Sequence, residues 1–163
     1  MTLEALADAY FSARIGNSTA TTSSELRVFD ALNGRFILGY AELAVGMSAD
    51  PAGFRLALGF GPLADLTSEL ASSEVLKHIQ QAYASFKLHD SLTLDVGKFV
   101  TNAGAEVIEA KGNWMYSRSL LFNYALPFTH TGARLGFVLN DRLTLQASVV
   151  NGWDSVFNDG ADK

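Results

Sequence analysis

The feature that most constrains this chain is a hydrophobic period of two, sustained along nearly its whole length. In "GFRLALGFG", Phe54, Leu56, Leu58 and Phe60 alternate with Arg55, Ala57, Gly59 and Gly61. In "RLTLQASVV", Leu143, Leu145, Ala147 and Val149 alternate with Thr144, Gln146, Ser148 and Val150. The same rhythm sets Ala133, Leu135, Phe137 and Leu139 against Gly132, Arg134 and Gly136, and Leu92, Leu94 and Val96 against Thr93, Asp95 and Gly97. Ala82, Ala84, Phe86 and Leu88 oppose Gln81, Tyr83, Ser85 and Lys87, and the opening "ADAYFSAR" repeats the pattern more weakly. Successive side chains of a strand point to opposite faces, so this spacing predicts half-covered strands.

Turn signals separate the runs: Asn140-Asp141, His89-Asp90 and Asp50-Pro51. "IGNSTATTSS" (Ile15 to Ser24) reads as a polar loop, and "ADLTSELASSEVLKH" as one short helical turn capped by Thr67 or Ser68. No run is long enough for a crossover helix, so the expected class is all-β, antiparallel and up-and-down, with about seven or eight strands.

The alternation leaves open which face meets water. A soluble sandwich buries its apolar face, whereas an outer-membrane barrel turns that face to lipid and keeps a polar interior. Three features lean toward a transmembrane barrel. The polar faces carry small residues with isolated charges (Arg55, Asp95, Arg134). The strands approach the ten residues a tilted membrane strand needs, against five or six in soluble sheets. Short turns alternate with long loops, Asn140-Asp141 against Thr101 to Ser117.

Composition narrows the partners. At 163 residues the chain builds one domain, or a fragment of a barrel. Its net charge of −5, with scattered Lys and Arg, argues against nucleic acid as a partner. The absence of cysteine excludes disulfide scaffolds and Cys-based zinc sites. Mean hydropathy is slightly positive, yet no stretch reaches the roughly 20 apolar residues of a spanning helix. "MTLEALADAYFSAR" lacks the basic start and long apolar run of a secretion signal, so an exported chain is expected to be a mature or shortened form.

Several segments carry a resemblance: "LRVFD", "GFRLALGFGPLADL", "SEVLKHIQQAYASFK", "GKFVTNAGAEVIEAKGNWMYSRSLLFNYALPFTHTG" and "VVNGWD". On these, from about Leu26 to Asp154, the chain resembles the β-barrel porin family of Gram-negative outer membranes, the OmpL-like group. The resemblance implies a bacterial outer-membrane barrel that passes small hydrophilic solutes through a lipid bilayer, with no enzymatic step and no cofactor. It also implies the N-terminal half, or a shortened form, of a larger barrel. Eight strands enclose an interior that side chains fill, and open channels need about 16. Open edges would invite self-association.

Against that frame stands "GAEVIEAKGNWMYSRS" (Gly104 to Ser119), which fits neither neighbouring strand. Glu106 and Glu109 have the residue types of a hydrolytic acid and base, but two carboxylates three apart are common on any solvated loop. The resemblance favours a segment folded into the lumen, where Glu106 and Glu109 oppose Lys111 and Arg118 and sort solutes by charge. With Glu42, Arg55, Asp95 and Arg134 they form the expected pore-lining set. Trp114, Tyr116, Phe122, Tyr124, Phe128 and Trp153 are candidates for a boundary girdle, and Trp114 and Tyr116 equally for anchors of the loop. His78, His89 and His130 are dispersed and lack metal-ligand spacing. Two rival readings remain open: a structural or designed mini-barrel with a packed interior, and a soluble all-β ligand-binding domain that buries the Phe54/Leu56/Leu58/Phe60 face against protein.

Overall fold

The computed structural model describes residues 1–13, 15, 26–48, 50–68 and 73–156; the expected polar loop Ile15 to Ser24 lies, Ile15 apart, outside them. Seven strands form one sheet in chain order: β1 (Thr2–Phe11), β2 (Phe36–Met47), β3 (Ala52–Phe60), β4 (Ile79–His89), β5 (Leu92–Val100), β6 (Thr129–Asn140) and β7 (Leu143–Val150). Every neighbouring pair is antiparallel. Among the described residues β1 pairs only with β2 and β7 only with β6, so the sheet has two open edges. Six reversals separate those edges, so β1 and β7 run in the same direction.

The six alternating runs all become strands. β2 adds a seventh, less legible because its covered face carries Tyr40 and Ala44 among polar residues. The helical content differs from the single capped turn expected. There are two short helices between β3 and β4, α1 (Pro62–Thr67) and α2 (Glu74–His78). Neither Thr67 nor Ser68 opens a helix: Thr67 is the last residue of α1 and Ser68 follows as its C-cap. Pro62, whose fixed φ suits a first turn, starts α1 instead. A third helix, α3 (Leu120–Tyr124), lies between β5 and β6.

The connections divide by length. Residues 48–51, 90–91 and 141–142 turn tightly at one end, while 12–35, 61–78 and 101–128 make the long loops at the other. The described parts of the long loops fold onto one face of the sheet. Phe29 from the first, Leu63 and Ala64 from α1, and Ile108, Phe122 and Phe128 from the third pack on Tyr40 of β2 as one buried cluster. Phe29, Phe122 and Phe128 form a triangle with ring centroids 5.6 to 5.8 Å apart, a spacing at which tilted aromatic pairs attract. The core therefore sits beneath the loops at one end rather than between two sheets.

The opposite face has no such cover. Register places Met47, Phe54, Ala84, Val96, Ala133 and Val149 on a single rung across six strands. Phe54 keeps 39% of its surface exposed, Phe60 46% and Val149 81%. A soluble sandwich would bury this face, and among the described residues no second layer packs on it. Lys98 is the one charged side chain at an outward register position in the strand bodies among the described residues. It is buried, its Nζ donating to the Ile79 carbonyl (2.7 Å) and Ser68 Oγ (3.3 Å).

Candidate functional site

The inner face is built by the polar positions of the strands. One rung carries Gly46, Arg55, Tyr83, Gly97 and Gly132, and the next toward the tight turns carries Gly53, Ser85, Asp95, Arg134 and Ser148. Gly97 sits at φ 137°, a region L side chains rarely adopt, and a Cβ there would overlap the Ala82 carbonyl oxygen and lie 2.7 Å from Tyr83 Cα. Its cross-strand partner Gly132 is also closed to side chains, by the backbone of Val149 and Val150. Paired glycines of this kind kink a sheet. The side-chain-free space between them leaves Tyr83 edge-on to Phe99, with ring centroids 6.5 Å apart.

The wall charges stand in pairs. Arg55 donates to both oxygens of Glu4 at 3.2 Å, a bidentate contact reaching from β3 across β2 to β1. Arg134 donates to Asp95 Oδ2 through Nε (3.1 Å) and Nη2 (2.7 Å), while Ser85 donates to Oδ1 at 2.7 Å. The Arg134 guanidinium also lies over the Phe99 ring, 4.3 Å from its centroid. Glu42, buried on the same face, accepts from the Tyr40 hydroxyl at 2.7 Å and feels the charges of Glu109, Arg55 and Lys111. Between Arg55, Tyr83, Ser85, Lys87, Thr93 and Asp95 lies a cavity of about 480 Å³.

The Gly104–Ser119 segment folds onto this face. Tyr116 reaches back to β1, where its hydroxyl donates to Asp8 (3.0 Å) and its ring meets Tyr10 at 5.2 Å. Burial and the neighbouring Asp8 carboxylate push the Tyr116 hydroxyl pKa well above the usual phenol range. Arg118, held at φ 54°, is buried; it donates to the carbonyls of Val107, Ile108 and Tyr116 and stacks over Phe29, 4.2 Å from the ring centroid. Burial lowers its pKa, because a desolvated cation is disfavoured. Glu106 accepts from Ser119 N (2.8 Å) and Ser119 Oγ, and Ser119 Oγ in turn accepts from Phe122 N at the start of α3. Asn113 ties the turn by donating to Val107 O and Glu109 O.

Several expected roles shift with these contacts. Arg118 does not face the two glutamates across an opening, because its guanidinium is committed to backbone carbonyls inside the apolar cluster. Glu106 is engaged in capping α3, which leaves Glu109 and Lys111 as the segment's charges near Glu42 and Glu4. Phe122 (1% exposed) and Phe128 (8%) are core residues and not boundary aromatics, since their apolar rings close the triangle with Phe29. Tyr116 is an inward anchor. Trp114, Tyr124 and Trp153 are exposed at the loop end. Asp154 fastens the start of β6 by accepting from Phe128 N and Thr129 N, both at 2.6 Å; burial nevertheless pushes its carboxyl up from the ordinary aspartate value.

Two acids of the inner face fall outside the expected pore-lining set, Glu4 and Asp8. Asp8 stands at a polar position of "ADAYFSAR" and extending that alternation back to Thr2 adds Glu4; their partners, 51 and 108 residues away, follow only from register and loop folding. Among the described residues no cluster of His, Asp and Glu could hold a metal, and no helix is long and apolar enough to cross a membrane.

No curated protein and no solved structure matches the chain. One family does, described as "Putative beta-barrel porin-2, OmpL-like", and the match runs over residues 1–163. An up-and-down antiparallel sheet with polar residues on one face, apolar residues on the other and long loops at one end agrees with that match over its full length: the chain belongs to the OmpL-like β-barrel porin family.

Proposed function

We propose that the sheet forms part of a bacterial outer-membrane barrel wall through which small hydrophilic solutes diffuse, with no chemical step. One observation carries this reading: the seven strands put their charges, Lys98 apart, on the loop-covered face and leave the other face apolar and, among the described residues, uncovered. Water has nothing to gain from that outer face, and lipid does. In hydrocarbon the free edges of β1 and β7 need strand partners for their backbone groups, and pairing with further strands, another copy's among them, supplies these. The wall residues Arg55, Asp95, Arg134 and Glu42, with Glu109 and Lys111 of the inward segment, then set which solutes pass. Tyr124 and Trp153, exposed at the loop end, suit the headgroup region.

Two measurements test the reading separately. Leu56→Arg places a charge on the outer face, where insertion is expected to weaken by ~2–4 kcal/mol, whereas Ser148→Arg on the inner face leaves insertion unchanged. Equal insertion of both variants into vesicles refutes the assignment of faces. Reconstitution in planar bilayers tests transport, and an inserted protein without discrete conductance steps refutes the pore.

A further inference from the structure

The sequence offered Arg55, Asp95 and Arg134 as isolated lumen charges, and the structure neutralises each one. Arg55 is bidentate to Glu4, and Asp95 is held by Arg134 and Ser85. Lys87, the third charge bordering the 480 Å³ cavity, contacts Asp50 at 3.1 Å and Asp90 at 2.9 Å. Every charge lining the cavity therefore has a counter-charge, on the wall for Arg55 and Asp95 and in the tight turns for Lys87. Paired charges project little field into the water between them, yet keep their spare lone pairs and N–H groups for hydrogen bonding.

The cavity's shape has a cause of its own. Gly46 and Gly53 occupy inner positions on neighbouring rungs and contribute no side chain. At Gly46 a Cβ would find only ordinary contacts, 3.4 Å to Phe54 O and 3.5 Å to Thr2 Oγ1. The backbone does not demand glycine there, so the missing side chain leaves open space beside Tyr83, Ser85 and Thr93. Volumes of 300–1,000 Å³ are typical of small-molecule sites.

We infer that this cavity is a binding subsite for a neutral polyhydroxylated solute of about mono- to disaccharide size, that Tyr83 supplies the flat apolar surface under it, and that Glu4 and Arg134 act as specificity-determining residues by cancelling the charge of Arg55 and Asp95. The inference rests on the proposed diffusion pathway for its biological use, but binding itself needs no conduction. Hydroxyl groups suit a wall that alternates donors (Arg55, Lys87) with acceptors (Asp95, Ser85, Thr93). A gluconate or glucosamine ion has no unpaired counter-charge to find and loses hydration on entering.

The test is saturation-transfer NMR on the detergent-refolded full chain, with sucrose, gluconate and glucosamine as probes. Wild type is expected to give transfer to sucrose and at least about tenfold less to either ion, the worth of one charge-assisted hydrogen bond. Gly46→Val, which intrudes on the cavity with a residue suited to a strand, lowers the sucrose signal. Tyr83→Leu weakens it. Glu4→Gln frees Arg55 and raises gluconate transfer about tenfold without loss of sucrose. Equal transfer to all three probes in wild type, an unchanged sucrose signal in Gly46→Val, or no gluconate gain in Glu4→Gln overturns the inference. Far-UV circular dichroism excludes misfolded variants. Because the readout is equilibrium binding in micelles, failure here leaves the bilayer conductance result standing by itself, and a silent bilayer leaves this one standing.

Discussion

Replacing Arg118 with Ala should release the inward segment while leaving the sheet intact. Arg118 is 7% exposed and carries a charge into the apolar cluster with, among the described residues, no carboxylate bonded to it. Its removal strands the carbonyls of Ile108 and Tyr116, at about 1–3 kcal/mol each; Val107 O keeps the donor Asn113. The lost contact over Phe29 costs about 2 kcal/mol more. Against this, the folded state no longer desolvates a cation, a relief of several kcal/mol. The net expectation is a loss of about 2–4 kcal/mol of local stability, which raises the open population about 30- to 700-fold. Hydrogen exchange with mass spectrometry reads it directly: amides of Asn113, Phe122, Asn123 and Ala125 should accelerate by that factor while those of β4 and β5 do not. Arg118→Lys keeps the charge but cannot fork to three carbonyls, so it should fall between wild type and Ala. If exchange in Arg118→Ala stays within threefold of wild type, the guanidinium is not what holds the segment down.

Other consequences follow from the same geometry. Gly97→Ala forces a Cβ into the Ala82 carbonyl at positive φ and should cost more than about 2 kcal/mol in urea unfolding from micelles. Ser119→Ala removes the acceptor of Phe122 N and should cost about 1 kcal/mol, read as faster exchange confined to α3. Asp154 has a folded-state pKa above its ordinary value of 3.8 because burial disfavours its charge. A raised folded value means folding binds the proton more tightly, so this contribution is full below about pH 3.8 and is lost as pH rises through the raised value. Thermal melts across that window should show the decline in wild type and not in Asp154→Asn, whose amide oxygen still accepts from Phe128 and Thr129.

What the sequence made legible was whatever depended on neighbours in the chain. Alternation at Phe54–Phe60 and Leu143–Val150 predicts strands because period two is a local property, and Asn140-Asp141 marks its turn for the same reason. β2 was harder. Tyr40 faces the buried cluster and Ala44 is buried on the same face, so apolar residues occupy both faces of β2 and the rhythm blurs. Phe122 and Phe128 resembled boundary aromatics because an aromatic beside a strand looks the same whether it turns to lipid or to a folded loop. Only the meeting of three loops far apart in sequence distinguishes the two. The pairing of Arg55 with Glu4 was invisible likewise, since it depends on how β1 registers against β2 and β2 against β3.

That meeting of loops bears on how the protein assembles. Phe29, Leu63 and the pair Ile108 and Phe122 reach one another only after β1 to β6 have been laid side by side, because they arrive from three different hairpins. Loop closures so distant in sequence are slow and come late. Until then the loop end is a set of slender chains, able to pass a barrier one hairpin at a time. Once the aromatic triangle closes and Arg118 locks beneath it, that end becomes a bulky folded knot. Withdrawal through the same barrier would require breaking the knot first. In the membrane setting proposed above, the cluster beneath the loops would act as a ratchet, giving the assembled wall a direction it could not easily retrace.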